Sequence, residues 1–237
     1  MRERTSKGEH LYQLDRERLI ELEPDLIVAQ ALCEVCAVSF DDVRAVAGEM
    51  PEPAQVIALD PVTIGEVLAD VRRLAEATED EGAADELLDE AAERIDAVRV
   101  AVEGAPLRTV AALEWLAPPY VGGHWVPQLI EMAGGVDPLG LPGEKSRTAT
   151  WEEIAATAPD VVMVMPCGFG VQRSTDEALD HHGEISKLGA DRVVAVDASS
   201  FFSRPSPRLV DGLEILAHAL HPDRAPDLHP GAAVIVG

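Results

Sequence analysis

Three cysteines are the residues of this sequence best suited to bind a soft metal or to act as nucleophiles. Two of them are spaced as Cys33-x-x-Cys36, and Cys167 lies far downstream. A structural zinc site needs a second Cys or His pair at similar spacing, which the sequence lacks, and a thioredoxin-like pair needs a helix that begins at the motif. We therefore favour buried thiols that line a pocket over a metal site formed by Cys33, Cys36 and Cys167.

Cys167 also lies in the segment Cys167-Gly168-Phe169-Gly170, directly after an apolar run, as a nucleophile on a sharp turn would. His181 or His182 would then be the base, although no acid that would orient it is indicated. Neither a Gly-x-Ser-x-Gly motif nor a Walker-type glycine loop occurs. A cysteine-dependent enzyme or redox protein remains an alternative.

Aromatic residues are few and lie mostly in the second half of the chain. Ligands of parallel α/β sheets bind beyond the carboxyl ends of the strands, and Trp115, Tyr120, Phe169 and Phe202 all follow predicted strands. Their positions predict an apolar, flat-walled site for a large and partly apolar ligand. The alternative is that these side chains cap the hydrophobic core.

A repeated unit predicts the elements that position these residues. Helical residues followed by Pro-Asp and an apolar, β-branched run occur at 19–30 and again at 151–165, and each run leads to a cysteine. The proline ends the helix, and an uninterrupted apolar run is typical of a strand buried in a parallel sheet. Together with further strands at 55–59, 109–113 and 192–196, the repeat predicts an α/β fold with two related lobes.

The longest helical stretch, residues 63–103, lies between the two repeats and is interrupted by polar residues near 78–82. Its second part places Leu88, Ile95 and Val98 on one face and spans about 30 Å. We predict that it is a spine. The predicted organisation is an N-terminal lobe (1–61), a helical spine (62–105) and a C-terminal lobe (106–237), with parallel sheets in both lobes and a ligand cleft between them.

The charge balance excludes some partners. The 237 residues include 19 basic and 43 acidic side chains, and the formal net charge is −24. Such a charge disfavours binding to nucleic acids and anionic lipid surfaces. No apolar run reaches the roughly 18 residues of a membrane span, and residues 1–10 are too polar for a signal peptide. We expect no membrane insertion, and a cytoplasmic location for the chain as it stands.

Five segments together resemble the cobalamin-binding substrate-binding proteins of ABC transporters. They are residues 11–15 (LYQLD), 24–39 (PDLIVAQALCEVCAVS), 122–127 (GGHWVP), 165–169 (MPCGF) and 204–214 (RPSPRLVDGLE). The resemblance implies two lobes on a helical spine with little hinge motion, a non-enzymatic function, an ABC permease as partner and a corrinoid such as vitamin B12 as ligand rather than cofactor. Anionic siderophores and haem are the alternative ligands.

The resemblance also implies which residues contact the ligand. The corrin would pack on aromatic walls, and polar groups would meet its amide periphery; the expected contacts are Gln30, Cys33, Cys36, Trp115, Tyr120, His124, Trp125, Cys167, Phe169, Phe202 and Arg208. His124 belongs to a glycine turn that opens a helix, and the free N–H groups of this turn could bind an anion. Relatives usually begin with a further strand–helix–strand unit and an export signal. We therefore expect an incomplete N-terminal lobe, and an extracytoplasmic location if the start is truncated.

Overall fold

The computed structural model describes residues 14–30, 38–225 and 231–236. The chain forms two compact units, Met1–Pro61 with Glu76–Glu79 and Val62–Ala75 with Asp80–Gly237. The smaller unit contains α1 (Arg16–Leu22), β1 (Leu26–Gln30), α2 (Phe40–Ala47) and β2 (Gln55–Leu59). β1 and β2 are parallel, and Leu26 is paired with Gln55. The side chains of Asp15 and Ser39 cap the two helices, at which free N–H groups would otherwise lack partners.

Two long helices, α3 (Ile64–Thr78) and α4 (Glu81–Val102), follow β2. The predicted interruption is confirmed at Glu79 and Asp80, and Glu79 has a left-handed backbone with φ of 57°. α4 packs on α10 (Leu209–Leu220). Leu88 and Val98 are buried as predicted, but Ile95 is only half-buried because it lies at the margin of the apolar face. The apolar stripe on α4 is therefore narrower than the sequence predicts.

Seven of the strands described for this chain form one sheet in the larger unit. Its path is β6-β4-β3-β7-β8-β9, and β5 pairs beside this path with the start of β3. The strands are β3 (Arg108–Leu116), β4 (Pro119–Val121), β5 (Gly135–Val136), β6 (Arg147–Thr148), β7 (Val161–Val164), β8 (Arg192–Val196) and β9 (Ala233–Ile235). The α/β prediction is confirmed, with parallel pairing at β5–β3, β3–β7 and β7–β8 and antiparallel pairing at β4, β6 and β9.

Shorter helices connect the strands and cover this sheet. They are α5 (Val126–Met132), α6 (Trp151–Ala156), α7 (Val171–Asp180), α8 (His182–Ile185) with a 3₁₀ turn (Ser186–Leu188), α9 (Ala198–Phe201) and α10. Every β7 side chain is buried, which is the pattern expected of a strand with both faces covered. Among the described helices, none is both long and apolar enough to cross a membrane.

Candidate functional site

The end of β3 brings two large aromatic side chains to the surface. β3 extends to Leu116, so Trp115 belongs to the strand rather than to a loop after it. Pairing with β4 shifts register between Leu113 and Trp115, so Glu114 is an extra residue, and Trp115 is paired directly with Tyr120. Trp115 is 38% exposed and Tyr120 36% exposed. Directly paired residues have neighbouring side chains, and together these two rings present one apolar face to solvent.

Phe169 and Arg173 extend this arrangement. The rings of Trp115 and Phe169 meet edge to face, with centroids 5.3 Å apart and an interplanar angle of 67°. The guanidinium carbon of Arg173, in the first turn of α7, lies 3.5 Å from the Phe169 ring centroid, close enough for a cation–π contact. We call Trp115, Tyr120, Phe169 and Arg173 the aromatic surface; Phe169 is its buried member, 6% exposed, and supports Trp115 through the edge-to-face contact. Arg173, which follows Phe169 by four residues, was not among the predicted contacts.

Trp125 and Phe202 were predicted to wall the ligand, and the structure instead places both in the core. Each is 4% exposed. The indole N–H of Trp125 donates a 2.8 Å hydrogen bond to the carbonyl oxygen of Phe202. Since their rings are covered by protein, they support the fold and leave no face open to a ligand.

The predicted anion site at the glycine turn is also wrong, because the N–H groups of the turn already have partners. Gly122 donates to the carbonyl oxygen of Ala112 and His124 to that of Glu144, and Gly123 donates to the Glu114 carboxylate. His124 itself is half-buried. Burial and the nearby charge of Lys145 lower the pKa of its ring, which favours the neutral imidazole.

The remaining predicted contacts belong to both units. Gln30 is half-buried at the end of β1 in the smaller unit, and Arg208 is exposed just before α10. Cys167 is exposed beside Phe169, and its N–H donates to the carbonyl oxygen of Glu114. Cys33 and Cys36 lie outside the described residues, so the hypothesis of three converging thiols stays a prediction. Within the described ranges, no group of three His, Cys, Asp or Glu side chains could hold a metal ion.

The histidine predicted as a base for Cys167 is held within its own helix. Nδ1 of His181 lies 3.0 Å from the carbonyl oxygen of Glu177, one turn earlier, and 3.8 Å from the Glu177 carboxylate. A base for the thiol would have to be supplied by this ring or by the exposed His182. The described contacts of the His181 ring are all to Glu177, which gives the cysteine-enzyme hypothesis no support.

Two acidic side chains that the sequence did not single out are withdrawn from solvent: Glu114 in β3 is half-buried and Asp137 is buried. The Glu114 carboxylate accepts hydrogen bonds from the Gly123 N–H and the Ser146 hydroxyl. Asp137 is buried just after β5, and one of its oxygens accepts from the N–H groups of Leu139 and Gly140. Burial raises the pKa of both carboxyls. A carboxylate directly after the apolar run 109–113 is the one signal in the sequence that could have indicated Glu114.

The fold and a family comparison together define the class of this protein, which is a substrate-binding protein of the ABC-transporter type. The chain belongs to the periplasmic binding protein family, whose model matches residues 6–184. Proteins of this family carry their small molecule as a ligand rather than as a cofactor. No curated protein matches the chain significantly.

Solved structures of binding proteins share the fold at low sequence identity. A periplasmic haem binding protein from Pseudomonas aeruginosa is 18% identical, with a TM-score of 0.72 over 95% of this chain and 81% of that one. The periplasmic vitamin B12 binding protein of Vibrio cholerae is 16% identical, with a TM-score of 0.68 over 90% and 80% of the two chains. An Fe3+-hydroxamate transport protein from Saccharomonospora viridis is 20% identical, with a TM-score of 0.65 over 89% and 73%.

Proposed function

We propose that this chain binds a corrinoid of the vitamin B12 type and delivers it to an ABC permease. The observation that carries the proposal is the aromatic surface, where Trp115 and Tyr120 stand side by side with more than a third of each side chain in water. Membership of the periplasmic binding protein family supports a binding function. A solved vitamin B12 binding protein with the same fold supports a corrinoid as the ligand.

The chemistry of the aromatic surface suits a large, flat and conjugated ligand. Exposed aromatic side chains that lie next to one another are uncommon on a protein surface without a partner. Trp and Tyr each offer a rigid apolar face with a polar tip, so they bury much ligand area at a small loss of conformational entropy. The edge-to-face contact with the buried Phe169 ring holds Trp115 in one orientation before any ligand arrives.

Calorimetric titration of the purified protein with cyanocobalamin tests the proposal. We expect Trp115→Ala and Tyr120→Ala to weaken binding about tenfold or more each, a loss of about 1.4 kcal/mol. The matched control is Leu107→Ala, an exposed apolar residue immediately before β3, at the opposite end of this strand from Trp115. Wild-type protein that does not bind at high micromolar cyanocobalamin, or equal affinities in all three variants, would contradict the proposal.

A haem or an anionic siderophore is the second candidate ligand, and Arg173 favours it. Its guanidinium carbon lies over the Phe169 ring, and among the described residues no ion pair or hydrogen bond involves this side chain. Its five N–H donors are arranged to bind a carboxylate through two parallel bonds. A haem with its propionates, or a carboxylate siderophore, would use this cation, whereas the amides of a corrinoid would use it less. A solved haem binding protein and a solved Fe3+-hydroxamate transport protein share the fold.

Replacement of Arg173 distinguishes the two ligand classes. We expect Arg173→Gln to lower affinity for hemin about tenfold if the ligand is anionic, and to change cyanocobalamin affinity less than threefold. Arg72→Gln, an exposed arginine on α3, controls for the change in net charge. Parallel titrations with hemin, ferric hydroxamate and cyanocobalamin then rank the three ligands directly.

The partner and location are part of the same proposal. Membership of the periplasmic binding protein family supports a location outside the cytoplasm, where the protein would present its ligand to the permease. Fractionation of cells that express the native gene with a C-terminal tag tests this location. Recovery of all tagged protein with a cytoplasmic marker would contradict it.

A further inference from the structure

Phe169 supports the aromatic surface from a short turn, residues 167–170, between β7 and α7. Gly168 in this turn has a left-handed backbone with φ of 78°, a conformation that glycine adopts without strain. The Phe169 ring contacts both Trp115 and Arg173. A change in the conformation of the turn would therefore move the support of both side chains at once.

The turn is joined to other elements by one hydrogen bond at each of three consecutive residues. The Cys167 N–H donates to the Glu114 carbonyl oxygen at 3.1 Å, the Gly168 N–H donates to the Ser203 hydroxyl at 3.0 Å, and the Phe169 carbonyl oxygen accepts from the Ser199 N–H at 2.9 Å. The partners belong to β3, to α9 and to the residues directly after α9. Of the three bonds, only the one at Gly168 uses a side chain, so a substitution can remove it and leave the backbone unchanged.

The segment that carries Ser203 is itself held in place by several hydrogen bonds. The Asp197 carboxylate caps α9 and accepts from the N–H and the hydroxyl of Ser200, both at 2.9 Å. The Ser203 N–H donates to the carbonyl oxygen of Ala198 at 2.8 Å, and the carbonyl oxygen of Phe202 accepts an indole N–H from the core. The Ser203 hydroxyl is therefore attached to a rigid support.

The bond between Gly168 and Ser203 lies near the surface, which limits its contribution to the stability of the fold. Ser203 is half-buried and Gly168 is exposed. If the hydroxyl is lost, water can accept the Gly168 N–H in its place, so the net loss of stability is small. The hydroxyl nevertheless fixes a direction, because it accepts the N–H from one place and free water accepts it from many.

We propose that Ser203 is a positioning residue for the aromatic surface. Its hydroxyl selects the conformation of the turn in which the Phe169 ring meets Trp115 edge to face and lies under the Arg173 guanidinium. Without the hydroxyl, the turn adopts further conformations, and the two side chains lose their common support. Side chains that are ordered before binding lose less conformational entropy when a ligand arrives. The consequence for affinity rests on the proposed function, whereas the orientation of Trp115 does not.

Nuclear magnetic resonance of the ligand-free chain tests the positioning role. The chain has three tryptophans, and Trp→Phe variants assign their indole N–H signals. We expect Ser203→Ala to shift or broaden the Trp115 signal, because the neighbouring Phe169 ring acts on it, and Ser203→Thr to restore it, because threonine keeps the hydroxyl. An unchanged Trp115 signal in Ser203→Ala would overturn the proposal.

The matched control is Ser199→Ala. The Ser199 hydroxyl has no hydrogen-bond partner among the described residues, and its N–H still donates to Phe169 after the substitution. We expect this variant to keep the wild-type Trp115 signal. An equal shift in Ser199→Ala and Ser203→Ala would contradict a specific role of the Ser203 hydroxyl.

Thermal melting separates a positioning role from a structural one. We expect Ser203→Ala to lower the Tm by less than about 4 °C, because one partly exposed hydrogen bond is lost. The indole signal of Trp151, elsewhere in the larger unit, should stay unchanged. A larger drop in Tm together with shifts of all three indole signals would mean that Ser203 supports the whole fold, and would overturn the proposal.

Titration with cyanocobalamin and hemin measures the consequence for binding. We expect Ser203→Ala to weaken binding about threefold to tenfold, and to have no further effect in a Phe169→Leu background, since Ser203 acts through Phe169. Additive losses would contradict this route, and unchanged affinity in Ser203→Ala would overturn the link to binding. If neither compound binds while the Trp115 signal shifts as expected, the proposed function fails and the positioning role of Ser203 stands.

Discussion

Glu114 illustrates how one extra residue in a strand can give two consecutive side chains different surroundings. In a regular strand, residues two apart share a face, which would place Trp115 beside the fully buried Leu113. The register shift at Glu114 breaks this alternation, so the carboxylate meets the Gly123 N–H and the Ser146 hydroxyl while Trp115 is exposed. Bulges often re-aim side chains in this way near binding sites. The exposed Trp115 ring and the half-buried Glu114 carboxylate have the same structural cause.

Substitution of Trp125 tests whether this residue contacts a ligand or only supports the core. We expect Trp125→Phe to lower the free energy of unfolding by about 1–3 kcal/mol, because the buried carbonyl oxygen of Phe202 loses its only side-chain donor among the described residues. Urea denaturation measures this loss, and Trp151→Phe, a half-buried tryptophan elsewhere in the larger unit, is the control. A loss of ligand affinity at an unchanged free energy of unfolding would mean that Trp125 contacts the ligand.

The sequence shows which residues are candidate ligand contacts, but it does not show which of them are exposed. Trp115, Tyr120, Trp125 and Phe202 all follow or precede apolar runs, and nothing local separates them. Whether a ring is covered depends on distant partners, such as the pairing of Trp125 with a residue 77 positions away. For the same reason the sequence does not single out Glu114 and Asp137, since burial of a carboxylate is a property of the assembled sheet and loops.

Helices and central strands were predictable because their signals are local. Pro24 and Pro159 end helices just before apolar runs, and those runs became β1 and β7. The short strands β4, β5 and β6 have two or three residues each, too few to show any periodicity. They form through pairing with β3 and with each other, so only the tertiary structure defines them.

The narrow apolar stripe of α4 can be measured by placing a charge at successive positions. Val98 is 2% exposed, Ile95 half-buried and Val100 64% exposed. We expect Val98→Asp to cost about 3 kcal/mol or more, Ile95→Asp clearly less and Val100→Asp almost nothing, because the cost of an unpaired charge follows its burial. Thermal melts of the three variants give the order. An Ile95→Asp variant as unstable as Val98→Asp would mean that the wider stripe expected from the sequence is correct.

Arg94 in α4 is linked to α10 by hydrogen bonds to two carboxylates. Its guanidinium donates to both oxygens of Glu214 at 2.8 and 2.7 Å and to Asp211 at 2.7 Å, and these hydrogen bonds raise its pKa further above the ordinary range. We expect Arg94→Gln to cost about 1–3 kcal/mol, since two neighbouring carboxylates then repel each other.

The matched control for Arg94 is Arg99→Gln. Arg99 pairs with Asp96 on the exposed face of the same helix, so its loss should cost less than about 1 kcal/mol. Urea unfolding at low and high salt measures both. Equal effects of the two substitutions would mean that the link between α4 and α10 contributes no more than a surface ion pair.

At the scale of the whole molecule, the two units differ in how many side chains of their strands are buried. The larger unit has a sheet whose central strand β7 is covered on both faces. In the smaller unit, β1 has no fully buried side chain and β2 has one, Ile57. A parallel pair of strands with so little burial is marginally stable by itself. Stability is therefore expected to be uneven along the chain.

Native-state hydrogen exchange measures this unevenness. We expect amides of β1 and β2 to exchange at least about thirtyfold faster than those of β7 and β8, which corresponds to an opening free energy lower by about 2 kcal/mol. β9, an edge strand of the larger sheet, controls for faster exchange at sheet edges in general. Because like charges repel at a net charge of −24, added salt should slow the opening of both units. Equal protection of β2 and β7 would mean that the chain unfolds as one cooperative body, in which the sparse burial of the smaller unit has no separate effect.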